Sequence, residues 1–150
     1  MNVFNIARKL LIVALVGCLP VQILAQNTVP MVSIRHLSTA YANQGICVLR
    51  FGLGTGMGEG DAGEVSLKLK FVDPKGATLL KGEISASLVD TEGGRYQEVF
   101  LEDPDACLDS STRVQVLRAT ATIGKKKYDL LKLRKLVLDD FKPMAIVIPK

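Results

Sequence analysis

From residue 29 onward, apolar side chains recur at every second position in short runs, and turn-forming residues separate the runs. Period two is the mark of a strand with one buried face, whereas a helix repeats at about 3.6 residues. The cleanest run is 64–72, where Val65, Leu67, Leu69 and Phe71 alternate with Ser66, Lys68 and Lys70. Lysines on one face and aliphatics on the other predict a half-exposed antiparallel strand. Asp73-Pro74-Lys75-Gly76 follows it, a turn in which proline presets φ and glycine permits the return.

Further strands are predicted over 29–37, 45–51, 79–89, 95–101 and 113–123. Val32, Ile34 and His36 alternate in the first, which places His36 on a strand, and Cys47 lies in the second. Gly82 is expected to weaken or bulge the run that carries Ile84, Ala86 and Leu88. Thr91-Glu92-Gly93-Gly94 reads as a hairpin turn, and Pro104 with its acidic neighbours breaks the chain before Cys107. Residues 128–141 fit either a helix of about ten residues or a strand, with the strand preferred; 144–148 closes the chain as a last strand. Seven or eight short strands and few helical signals predict an all-β, immunoglobulin-like sandwich. No Trp lies between Cys47 and Cys107, and Asp105 stands where an immunoglobulin domain carries its corner tyrosine, so fibronectin type III is the nearer relative.

Ahead of this region, residues 1–25 carry Arg8 and Lys9, then an apolar stretch over 10–19, then Ala25 before Gln26. That is the layout of a cleaved export signal, and Pro20 and Gln22 interrupt it too soon for a permanent span. Leu15-Val16-Gly17-Cys18 offers a second processing route, with Cys18 lipidated as a new N-terminus. Cleavage after Ala25 leaves residues 26–150 as a single domain with two cysteines, Cys47 and Cys107. In an exported domain such a pair is most simply a disulfide, with two buried free thiols as the alternative. Removing Arg8 and Lys9 from the 19 cations leaves 17 against 15 carboxylates, a net +2. So small a charge gives no reason to expect nucleic acid as a partner.

The chemistry-bearing residues are sparse. His36 is the only histidine, which closes most routes to imidazole catalysis or a His-rich metal site. No Gly-x-Ser-x-Gly elbow accompanies it, and a histidine on a strand surface is the simpler reading. Gly58, Gly60 and Gly63 spell a G-x-G-x-x-G, but a strand follows it rather than a helix, and Glu59 and Asp61 would repel phosphate. Residues 52–63 are therefore read as an adaptable glycine-rich loop, or as a hinge for strand exchange between two copies. Glu102, Asp103, Asp105 and Asp109 lack the EF-hand spacing and read as a solvated turn. Asp139 and Asp140 are adjacent, so on a strand they face opposite ways and cannot share acid–base work. Lys125-Lys126-Lys127 are expected to top a hairpin. No catalytic, cofactor-binding or metal-binding residue is assigned.

As a whole, the chain resembles the interleukin receptor mimic protein A family of pathogenic Escherichia coli. The likeness rests on MNVFNIARKLLIVALVGCLP, GICVLRFGLGTGMGEGDAG, EDPDACLDSS and RKLVLDDFKPMAIVIPK rather than on any short diagnostic motif. It implies a small secreted protein with a fibronectin type III-like fold, a domain-swapped homodimer, and binding to host interleukins such as interleukin-2, interleukin-4 and interleukin-10. Cys47 and Cys107 carry over as the implied disulfide; no partner-binding residue does. The competing class is a pilus-type or periplasmic accessory sandwich with no cytokine role, which would depend on a donated strand. A periplasmic enzyme would need a polar constellation that the residues do not supply.

Overall fold

The alternation at 65, 67, 69 and 71 buries those four side chains almost completely, while Glu64 and Lys68 stay exposed. The same logic builds the rest of the chain, seen in a computed structural model that describes residues 29–56, 59–89, 96–139 and 144–149. The described strands are β1 (Val32–Asn43), β2 (Ile46–Thr55), β3 (Gly63–Val72), β4 (Thr78–Leu88), β5 (Gln97–Asp103), β6 (Arg113–Ile123), β7 (Lys126–Asp129), β8 (Leu136–Leu138) and β9 (Ala145–Val147). They form two sheets, ordered β5–β2–β1–β8 and β4–β3–β6–β7, with β9 on the free flank of β6. This is the all-β sandwich expected, with β1, β2 and β5 facing β4, β3, β6 and β7 as in a fibronectin type III-like domain.

The two inner faces meet in a core that includes Ile34, Leu49, Phe51 and Leu53 from the first sheet. Leu67, Leu69, Phe71, Val114 and Val116 meet them from the second. A tilted aromatic series crosses between the sheets: His36 lies 5.3 Å from Phe51, and Phe51 lies 6.3 Å from Phe71. Each fully buried Leu or Phe contributes roughly 1.5–3 kcal/mol relative to leaving it in water. Both two-residue hairpins have positive-φ residues at their tips, Gln44 and Gly45 between β1 and β2, and Gly124 between β6 and β7. Lys125 and Lys126 thus sit at a hairpin end, as expected. The Asp73 turn forms as expected, with the Gly76 N–H donating to Asp73 O and the Ala77 N–H donating to Asp73 Oδ1.

Four expectations change. The glycine-rich loop is shorter than 52–63, because Gly52, Leu53, Gly54 and Thr55 continue β2 as buried residues paired with β1, and Gly52 and Leu53 pair with β5 as well. Gly82 stays in register opposite Leu69, and the irregularity falls instead between Phe71 and Val72. A Cβ at 82 would stand 2.6 Å from Leu101 Cδ2, where the edges of the two sheets touch, so a larger residue there would require the Leu101 side chain to move. His36 is not on the strand surface; it is 2% exposed, on the inner side of β1.

Neither reading of 128–141 holds throughout. Tyr128 and Asp129 end β7, a single helical turn follows, and β8 comes next. Asp129 Oδ1 caps that turn by accepting from the Leu131 and Lys132 N–H groups. Arg134, at φ 52, closes it: its N–H donates to Leu131 O and that of Lys135 to Leu130 O. The proposed hairpin at 91–94, the export signal with Cys18 and Ala25, and Asp140 lie outside the described residues.

Candidate functional site

Among the described residues, the outward side of the β5–β2–β1–β8 sheet carries an organised group of polar and aromatic side chains. Arg35 projects there from β1, opposite Gly52 of β2. With no side chain at 52, Arg35 and Tyr96 lie flat on the sheet; a Cβ at that position would stand 3.1 Å from both Arg35 Nε and Tyr96 Cδ1. The Arg35 guanidinium carbon lies 3.7 Å from the centroid of the Tyr96 ring, a cation–π stack. Asp139, just beyond β8, ties both down: Arg35 Nη1 is 3.7 Å from its Oδ2, and the Tyr96 hydroxyl donates to the same oxygen. Ser33 Oγ adds a contact to the Tyr96 hydroxyl at 3.4 Å. Burial, followed by the bond to Asp139, raises the Tyr96 pKa, so this phenol stays protonated and donating at neutral pH.

A second set repeats the pattern on the neighbouring strands. Arg50 of β2 stands opposite Phe100 of β5, with its guanidinium carbon 6.0 Å from the ring centroid, and it pairs with Glu98. Phe100 is 54% exposed, so the ring is presented to solvent rather than spent on the core. Arginine and aromatic residues are the types that most often carry binding energy in protein interfaces. Here each arginine is braced by a ring and a carboxylate before any partner arrives, which reduces the ordering cost of association. Beside the first set, Tyr96, Asp139, Ser33 and Val137 line a shallow cleft of about 340 Å³.

The residues singled out from sequence have other roles. Cys47, at the start of β2, and Cys107, after the 3-10 turn Pro104–Ala106, form a disulfide with Cα atoms 5.0 Å apart. Asp103 caps that turn, its Oδ1 accepting from the Asp105 N–H at 2.8 Å. Asp109 holds the next bend by accepting from the Ser111 N–H and hydroxyl, which lower its pKa. Glu102 lies outward on β5 and is not gathered with these residues into a site. His36 packs on Phe51 with Thr39 Oγ1 3.3 Å from its Nε2, and burial lowers its pKa, partly offset by a backbone hydrogen bond at Ser38. Among the described residues, no group of three His, Cys, Asp or Glu side chains converges to hold a metal ion. No helix there is long and apolar enough to cross a membrane.

Sequence reasoning missed Arg35, Arg50, Tyr96, Glu98 and Phe100, and it treated Asp139 only as half of an acidic pair. One signal was present: two glycines spaced by two within an apolar run, Gly52 and Gly54, leave bare positions on one strand face where flat side chains can lie.

The chain matches the family model described as interleukin receptor mimic protein A over residues 32–139, from the first residue of β1 to Asp139. That span holds the disulfide and both arginine–aromatic sets. Among solved structures the chain is similar to IrmA from Escherichia coli. The two are 23% identical, with 79% of this chain and 98% of that chain covered at a TM-score of 0.61, a likeness of fold. No match was found among curated proteins.

Proposed function

Because the chain belongs to the interleukin receptor mimic protein A family, we propose that it is an exported, non-catalytic binding protein that engages host interleukins through the outward side of the β5–β2–β1–β8 sheet. The observation that carries the choice of face is the pair of braced sets, Arg35–Tyr96–Asp139 and Arg50–Phe100–Glu98. They put two guanidinium groups and an exposed ring on a rigid sheet, where truncating an anchor typically costs about 2 kcal/mol, roughly thirtyfold in Kd. The Cys47–Cys107 disulfide fits an oxidising compartment, in keeping with removal of residues 1–25 on export. The working form is a homodimer, with the glycine-rich connection 56–62 as the hinge if strands are exchanged.

The test is a titration of immobilised, oxidised residues 26–150 with interleukin-2, interleukin-4 and interleukin-10, with unrelated cytokines as controls. Saturable, selective binding is expected, weakened at least tenfold by Arg50→Ala combined with Phe100→Ala. Both side chains are substantially exposed, so the circular dichroism spectrum should not change. Flat responses from the folded protein refute interleukin binding; intact binding by the double variant refutes the face. A monomer across a wide concentration range in sedimentation refutes the dimer.

A further inference from the structure

The opposite side of the molecule has a different chemistry. Period two sends Lys68 and Lys70 of β3 and Lys81 of β4 outward, joined by Arg113 and Arg118 of β6 and Lys127 of β7. Three carboxylates share these strands and this face, Glu64, Glu83 and Asp129. Asp129 is committed to capping backbone N–H groups. Glu83 accepts from Ser66 Oγ at 2.6 Å and lies 3.8 Å from Lys68 Nζ. The Ser66 bond first, and then Lys68, Lys127 and Arg118, hold the Glu83 carboxyl below its ordinary pKa, so this charge is already counted against its neighbours. Six cations against three anions leave a surplus of three on one face, in a mature chain whose net charge is only +2.

The register makes the surplus more pointed. Lys70 stands directly opposite Lys81, and Lys68 directly opposite Arg118. Facing Cβ atoms in such pairs are about 5 Å apart, and like charges placed so destabilise a sheet. Nothing in the fold requires them, because these side chains point away from the core. Successive outward positions along a strand lie about 7 Å apart, so the Lys70–Lys81 pair lies beside the row Glu83–Lys68–Arg118, in which one carboxylate faces two cations. No aromatic side chain is exposed among them in the described residues, so a single-stranded nucleic acid would find no stacking platform. Leu79 and Leu117 are the large apolar side chains exposed on these strands, too few to anchor a bilayer. Lysine acts as a hydrated point charge, suited to dispersed monoanionic groups along an extended chain rather than to one bidentate phosphate.

We propose that the outward side of the β4–β3–β6–β7 sheet is a docking surface for a sulfated polysaccharide chain, held chiefly by Lys68, Lys70, Lys81 and Arg118. The attraction is between the summed positive field of the face and a regularly repeated anion; it weakens with salt as the screening length falls to about 8 Å at physiological ionic strength. The surface lies on the other sheet from the interleukin-binding face proposed above, so the two readings stand or fall separately.

The experiment titrates the oxidised full-chain protein, purified after export, with a size-defined heparin octasaccharide by calorimetry at several salt concentrations. Saturable binding that falls steadily with salt is expected. Lys70→Gln combined with Lys81→Gln should weaken it at least tenfold at fixed ionic strength, while Tm holds or rises because a like-charge pair has gone. Arg50→Ala with Phe100→Ala should leave octasaccharide binding unchanged. Absence of binding at low salt by folded protein overturns the proposal, as does equal binding by the lysine variant. Binding to phosphatidylserine vesicles without octasaccharide binding also overturns it, and assigns the face to a membrane surface instead.

Discussion

Reducing the disulfide is the perturbation whose size is most directly calculable. Cys47 and Cys107 are 60 residues apart, and the crosslink joins the first residues of β2 to the bend after β5. In the chain-entropy picture, a closed loop of that length removes about 14 cal/mol/K from the unfolded ensemble, or about 4 kcal/mol at 25 °C. Domains of this size have only about 5–15 kcal/mol in total, so the bond supplies a large share of the margin. Cys107 is exposed, so a reductant reaches it without prior unfolding. The assay is urea unfolding followed by far-ultraviolet circular dichroism, with and without a phosphine reductant, since the chain has no Trp to report by fluorescence. The reduced protein should lose about 4 kcal/mol and show a steeper denaturant dependence, because its freed unfolded chain exposes more surface. A loss under about 1 kcal/mol with unchanged slope would refute the reasoning, because it would mean that the ends of this loop stay together without the bond.

Gly63→Ala should cost more than about 3 kcal/mol: the residue has φ 63, and a Cβ there would stand 2.1 Å from the Thr122 carbonyl oxygen of β6. Gly45→Ala, at φ 83 but with nothing within 4 Å of the new Cβ, should cost only about 1 kcal/mol, and equal urea midpoints for the two would refute the close-approach argument. His36 titrates below its ordinary value when folded, chiefly because it is buried, so the unfolded chain binds its proton first as pH falls. The stability present above about pH 6.5 should therefore decline as pH drops through the folded pKa, by at most about 1.4 kcal/mol per pH unit. The ring resonances of this single histidine report that pKa by NMR, and an unshifted value there refutes the burial argument.

By itself, the sequence determined the elements whose residues answer to one local rule. The run 64–72 reads as a strand because its aliphatics face one core throughout, and Asp73-Pro74-Lys75-Gly76 reads as a turn because its side chains preset the backbone. The cysteine pair was legible once Cys18 was set aside with the expected export signal. Tertiary structure decided everything that depends on which strand lies beside which. Gly52 and Gly54 look like loop residues until β1 pairs with both and β5 with Gly52, and then the missing side chain at 52 makes room for Arg35 and Tyr96. Gly82 looks like a weak point until Leu101 of the other sheet comes close to it. The stretch 128–141 stayed ambiguous because Asp129 and Arg134 cap a turn too short to show a period, and because β8 is a three-residue strand that pairs in parallel with a distant partner, β1. The candidate binding face was illegible for the same reason. Arg35, Tyr96 and Asp139 are far apart along the chain, and only pairing across the sheet, a free energy paid in loop closure and returned in packing, brings their charges and ring together.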